Sequence, residues 1–125
     1  MGMIGEFEKP ISENTFLEHL KSKMQTKCIR HSALLDKPIK KVAVLGGSGS
    51  FAINAAKAAG ADAFVTADLK YNDFITAENS ILIAAIGHYY SEQYTKNLLV
   101  DYLTKKIPNF AIILSNTNTN PVKYL

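Results

Sequence analysis

The 125 residues, 47% of them apolar, suffice for one hydrophobic core and leave little for a second. Fourteen basic residues against 11 acidic ones give a net charge of +3, too mild and too scattered for a nucleic-acid track. The one cysteine, Cys28, excludes an intrachain disulfide. No signal-peptide pattern opens the chain, and the apolar stretch 81–86 is too short for a bilayer. These features fit a cytoplasmic protein.

The opening MGMIGEFEKP carries two early glycines and then Phe7 and Pro10. It reads as a loop continuing from something upstream, and the chain as a fragment. Ser12 or Asn14 is placed to cap a helix running to about Met24, in which Phe16, Leu20 and Met24 recur at i, i+4 and i+8 with Leu17 alongside. His19 falls between that stripe and solvent, a structural position. Residues 28–31 read as a short strand with Cys28 as a small buried residue and His31 on the strand surface. Asp36-Lys37-Pro38 reads as a turn.

From Lys41 the pattern becomes regular. An apolar strand at 42–45 leads into Gly46, Gly47, Ser48, Gly49 and Ser50, then a small-residue helix at 51–59 that ends at Gly60. A strand at 63–66, a polar helical segment at 70–78 and a strand at 81–86 follow. A longer helix covers 92–106, with Tyr94, Leu98, Leu99, Tyr102 and Leu103 as its expected buried face, and Pro108 stops it. Residues 110–114 read as a last strand. Strands that are apolar throughout and alternate with helices predict an α/β fold, a mainly parallel sheet of four to five strands with helices on both faces. The expected organisation is a leading segment at 1–40, with one helix and a short strand, joined to an α/β lobe at 41–125 in one compact domain. Right-handed crossovers then place the three strand-to-helix loops at one sheet edge, where such sheets bind ligands.

Each loop supports more than one chemistry. Gly47-Ser48-Gly49-Ser50-Phe51-Ala52 matches G-x-G-x-x-A after a strand, with Asp68 about 20 residues on, as in dinucleotide-binding turns. The strands available are too few for that fold, so anion or polar-ligand binding and a structural tight turn stand beside it. Asp68 and Lys70 lie at the end of the second strand; they either meet a polar ligand, or Asp68 caps the next helix while Lys70 is solvated. In the third loop Gly87 permits a sharp turn, and His88 and Glu92 stand one helical turn apart, so imidazole and carboxylate share a face. That donor pair suits zinc, iron or manganese. The alternative is a helix-start histidine capped by Ser91 with Glu92 exposed. Two ligands are fewer than zinc normally takes, and His19 and His31 are poorly placed to complete a set.

Taken together, KVAVLGGSGS, GADAFVTADLKYND, AAIGHYYSEQ and the tail SNTNTNPVKYL resemble, in order and spacing, the C-terminal half of the Nif-three-like family, also called dinuclear metal centre proteins or type-2 GTP cyclohydrolase homologues. The stretch MGMIGEFEKPISENTFLEHLKSKM resembles the point where family members return to this domain after a variable insertion. The resemblance implies a metal-dependent, hydrolase-like protein in which two divalent ions activate water between two related lobes. It implies that His88 and Glu92 are metal ligands, that the remaining ligands belong to a missing N-terminal lobe, and that the protein assembles with itself as a toroidal hexamer. The 46–50 turn, Asp68 and Lys70 then line the substrate side. Asn72 stands where the family often has histidine and Ala67 where it often has glycine, which weakens any role for residue 72. A non-catalytic assembly or interaction module is the rival reading, and a dinucleotide-binding domain a more distant one.

Overall fold

The computed structural model describes residues 2–125. The chain divides into two compact units, Met1–Ser91 and Glu92–Leu125.

The first unit opens with strand β1 (Met3–Ile11), helix α1 (Glu13–Met24) and strand β2 (Arg30–His31). Strand β3 (Ile39–Val44) leads through a 3-10 turn at Ser50–Ala52 into α2 (Ile53–Ala58). Then come β4 (Ala63–Thr66), α3 (Tyr71–Ile75), β5 (Leu82–Ala85) and the short helix α4 (His88–Glu92), whose last residue belongs to the second unit. The five strands form one sheet in the order β1-β3-β4-β5-β2. The central three are parallel, while β1 on β3 and β2 on β5 are antiparallel edges. The α/β class and parallel centre follow from the sequence pattern.

Every residue of β4 and β5 is buried, because each strand has cover on both faces. Alternation divides them. Ala63, Val65, Leu82, Ala84 and Ile86 pack with Phe16 and Leu20 of α1. Phe64, Ile83 and Ala85 pack with Ile53 and Ala56 of α2 and with Phe74 of α3. Burial of side chains as large as Phe64 or Ile83 contributes about 1.5–3 kcal/mol each. The α1 stripe is therefore the one expected from its spacing, and Ser12 is the cap: its Oγ accepts from the Thr15 N–H at 3.1 Å.

Polar groups fasten the ends. Glu13, only 5% exposed, accepts from the Leu35 N–H at 2.9 Å and the Asp36 N–H at 3.0 Å, so one carboxylate seats the loop ahead of β3. Thr26 Oγ1 donates to the Ile86 carbonyl at 3.1 Å and joins the end of α1 to the end of β5. Lys57 on α2 donates to Glu78 Oε2 at 2.6 Å, and this hydrogen bond, with the lysine charge, holds the Glu78 carboxyl below the usual carboxylate range.

Several expectations are corrected. Residues 3–11 are a strand and not a loop: β1 is the fifth member of the sheet, in a register that slips between Glu6 and Ile11. Cys28 is exposed, because β2 is confined to two residues and starts after it. In the second unit the expected 92–106 helix is interrupted at Gln93 and Tyr94, and α5 (Thr95–Lys106) starts anew. Its expected buried face is exposed, with Leu98 at 69% and Tyr102 at 57%. Residues 110–114 enter no ladder; an apolar run is not a strand without a neighbour to pair with. Lys96 Nζ instead donates to the Ser115 carbonyl at 2.8 Å and holds the tail to α5. Among the described residues no helix is long and apolar enough to cross a membrane.

Glu13→Ala leaves the Leu35 and Asp36 N–H groups without their carboxylate. The expected loss is about 1–3 kcal/mol of unfolding free energy, read as a lower urea midpoint at unchanged slope. A midpoint equal to that of the parent shows that water replaces the carboxylate.

Candidate functional site

Three parallel strands in adjacent register end side by side, so the loops after β3, β4 and β5 emerge together. The ladder runs slightly past the strands: the Leu45 N–H donates to the Val65 carbonyl at 2.9 Å and the Ile86 N–H to the Thr66 carbonyl at 3.0 Å. Beyond that point the loops bind one another. The Gly47 carbonyl accepts twice, from Thr66 Oγ1 and from the Ala67 N–H, both at 3.0 Å. The Gly47 N–H donates to Ser91 Oγ at 3.2 Å, and that hydroxyl donates to the His88 carbonyl at 2.9 Å. One glycine thus joins the first loop to the second and the third.

Gly49 is required by space. A Cβ built there would lie 2.2 Å from Thr66 Oγ1 and 3.2 Å from Leu45 Cδ2, so only glycine lets the turn lie on the end of β4. Gly87 is required by geometry: its φ of 84° is the left-handed turn that brings the chain from β5 into α4. The turn sets His88 at the first position of α4 with its side chain exposed.

The second loop presents Asp68 between two anchored neighbours. Ala67 is fully buried and held to Gly47; Leu69 is 5% exposed, and its carbonyl accepts from Arg30 Nη2 at 2.9 Å. The same guanidinium lies 5.5 Å from the centroid of the Phe74 ring. Asp68 itself points outward and its Oδ2 lies 2.5 Å from His88 Nδ1. An ionised carboxylate only accepts, so the contact fits a proton on Nδ1. Lys70 caps α3 with its backbone, its N–H donating to Asp73 Oδ2 at 2.7 Å, while its side chain is exposed.

The structure therefore places every sequence-derived candidate of the first unit. Gly47 and Gly49 are buried and act through backbone and close approach, whereas Gly46, Ser48, Ser50, Asp68, Lys70 and His88 are exposed on the loops. Asp68 meets His88 and does not cap the following helix. Glu92 is exposed at the last position of α4. Among the described residues no group of three or more His, Cys, Asp or Glu is placed to hold a metal. Thr66 and Arg30 do not stand out in the sequence, and Ser91 does so only as a cap for the helix start, a role its bond to the His88 carbonyl matches. A threonine closing an apolar strand is a weak signal, and nothing local marks Arg30. A separate groove of about 680 Å³, lined by His31, Ser32, Leu35, Tyr71, Phe74 and Ile75, contains none of the loop candidates.

Residues 1–121 match the family described as Duf34/NIF3 (NGG1p interacting factor 3). The chain belongs to this family. A Staphylococcus epidermidis relative named GTP cyclohydrolase 1 type 2 homolog is 35% identical over 99% of the chain. The crystal structure of a Bacillus cereus protein related to NIF3 superposes with a TM-score of 0.85 at 32% identity over the whole chain. A Staphylococcus aureus protein of known structure gives 0.86 at 29% identity. The chain spans about a third of these relatives' length: 35% of the Staphylococcus epidermidis protein and 36% of the Bacillus cereus one.

Gly49→Ala is expected to destabilise by about 1–3 kcal/mol, since the new methyl group has to displace Thr66 or Leu45. Combining it with Thr66→Ala should recover part of the loss in a double-mutant cycle. Strict additivity of the two changes means that the turn does not rest on Thr66.

Proposed function

We propose that this chain supplies part of a divalent-metal centre in a hydrolase-like protein, with His88 and Glu92 as its ligands. The observation that carries the reading is the exposed His88 imidazole at the end of β5, with Asp68 on its Nδ1. A carboxylate on one imidazole nitrogen, with the other directed to a metal, is the usual arrangement around histidine ligands. Glu92 follows His88 by four residues in α4, the spacing at which two side chains share a helical face. Imidazole nitrogen and carboxylate oxygen together suit zinc, iron or manganese.

When bound, two divalent ions would supply Lewis-acid polarisation and charge for a hydrolytic reaction. This chain's own groups do the rest of the work. Asp68 keeps a proton at His88 Nδ1. The backbone of Gly47 holds the three loops in one register, and Ser48, Ser50 and Lys70 offer hydroxyl groups and a positive charge to the substrate side. Two ligands fall short of the three or more that zinc takes from protein. The remaining ligands would come from a further lobe such as the longer relatives have room for, and the whole would assemble with itself as a hexamer. The name GTP cyclohydrolase 1 type 2 homolog belongs to the relatives, and a cyclohydrolase-type hydrolysis is the reaction class it suggests here.

The exposed apolar side of α5 favours a second reading, a non-catalytic assembly module. Tyr94, Leu98, Leu99, Tyr102 and Leu103 are all more than a third exposed. Monomeric proteins leave few such contiguous patches open to water. On this reading light scattering finds self-association that Leu98→Glu abolishes, and a clean monomer at high concentration rejects it.

For the metal reading, isothermal titration of the 125-residue chain with zinc or manganese should show weak uptake that His88→Ala removes and Glu92→Ala lowers. Tight binding at two sites, untouched by either substitution, would sink the assignment.

A further inference from the structure

The sequence places Asp68 on the substrate side. The geometry points to a different role, in which Asp68 is a positioning residue that fixes the tautomer and ring orientation of His88. Nε2 then carries the lone pair with which the imidazole binds a metal. This inference rests on the proposed metal role of His88 and deepens it.

Three observations carry it. The first is the contact itself, Asp68 Oδ2 to His88 Nδ1 at 2.5 Å. In a neutral imidazole only one nitrogen bears a proton. With the carboxylate accepting at Nδ1, the proton resides there and the lone pair at Nε2. An imidazole free in water has no such bias from a neighbour and can flip about its χ2 torsion.

The second observation is that Asp68 is rigidly presented although its side chain is exposed. The Ala67 N–H is bound to the Gly47 carbonyl, and the Leu69 carbonyl is bound by Arg30, with both neighbouring side chains buried. The backbone is therefore pinned on each side of residue 68. A carboxylate that simply met solvent or a diffusing substrate needs no such anchoring, whereas one that orients a ring needs its Cα fixed.

The third is that His88 is fixed from its own side. Gly87 forces the turn, and Ser91 Oγ accepts from the Gly47 N–H and donates to the His88 carbonyl. Gly47 is thus bonded to the loop of the carboxylate and, through Ser91, to the loop of the imidazole. The distance between Asp68 and His88 is set by that shared residue. The arrangement is one in which an outer carboxylate fixes a histidine ligand, and removal of such a carboxylate typically weakens metal affinity by about 10–100-fold.

The tautomer can be read directly. Two-bond ¹H–¹⁵N correlation spectra of the ¹⁵N-labelled chain are recorded at pH about 8.5, above the ordinary imidazole range. The His88 signals are assigned by their loss in His88→Ala. The expected pattern is Nδ1-protonated in the parent and predominantly Nε2-protonated in Asp68→Ala, with the His19 and His31 patterns and the backbone amide spectrum unchanged. An Nε2-protonated His88 in the parent overturns the inference without recourse to any variant. Zinc titration of the same samples should give an apparent Kd about 10–100-fold weaker in Asp68→Ala. If the parent takes up no zinc while its tautomer is Nδ1-protonated and depends on Asp68, the metal reading fails and the positioning stands. If zinc binds through His88 and Asp68→Ala changes neither tautomer nor affinity, the positioning is overturned and the metal reading stands.

Discussion

The carbonyl oxygen of Gly47 is the point on which the arrangement of the sheet edge depends. It accepts from the Thr66 hydroxyl and the Ala67 N–H, while the N–H of the same residue reaches the Ser91 hydroxyl. Parallel strands end in loops that have no ladder of their own, and their backbone groups need partners once the sheet stops. Here one residue supplies partners to two neighbouring loops. The absence of a side chain at Gly49, two residues on, lets the turn come close enough for those bonds to form. Side chains that matter for chemistry can then project from the edge at fixed spacing without forming a buried site of their own.

That division between buried support and exposed chemistry explains which parts are legible in the sequence. The apolar runs at 63–66 and 81–86 announce central parallel strands, since only a strand covered on both faces is apolar at every position. The i, i+4, i+8 stripe of Phe16, Leu20 and Met24 likewise gives α1 and the face it buries. The glycines at 46, 47 and 49 and the His88/Glu92 spacing locate the loops. What periodicity cannot give is partnership. Nothing in the string FVTADLKY says that Asp68 turns toward His88 and not toward the N-terminus of α3, because that choice depends on the register of β4 against β5. Arg30 is harder still: its bond to Leu69 joins residues 39 apart through an edge strand of only two residues.

Where the fold departs from the pattern, the departures share a cause. Residues 3–11 look like a loop because glycine and proline punctuate them, yet an antiparallel edge strand tolerates both where a central strand does not. Its register slip near Pro10 is the form that tolerance takes. Conversely, Phe110, Ile113 and the apolar positions of α5 have the composition of buried elements and stand exposed. Composition records how much apolar surface wants cover. It does not record which segment provides it.

The pairing of the two-residue β2 with β5 has a consequence for the order in which the unit can assemble. Arg30 and His31 meet Ala85 and Ala84, and Thr26 reaches Ile86, so β2 and the end of α1 find their final partners only when the last strand is available. Closing such long loops is entropically uphill until the far contacts form, which makes the sheet a product of late, non-local closure. α1 is twelve residues long and too short to be stable alone, so it waits for β5 to complete the surface on which Phe16 and Leu20 rest. The strand that carries His88 at its end is therefore also the one that both α1 and β2 need for their packing.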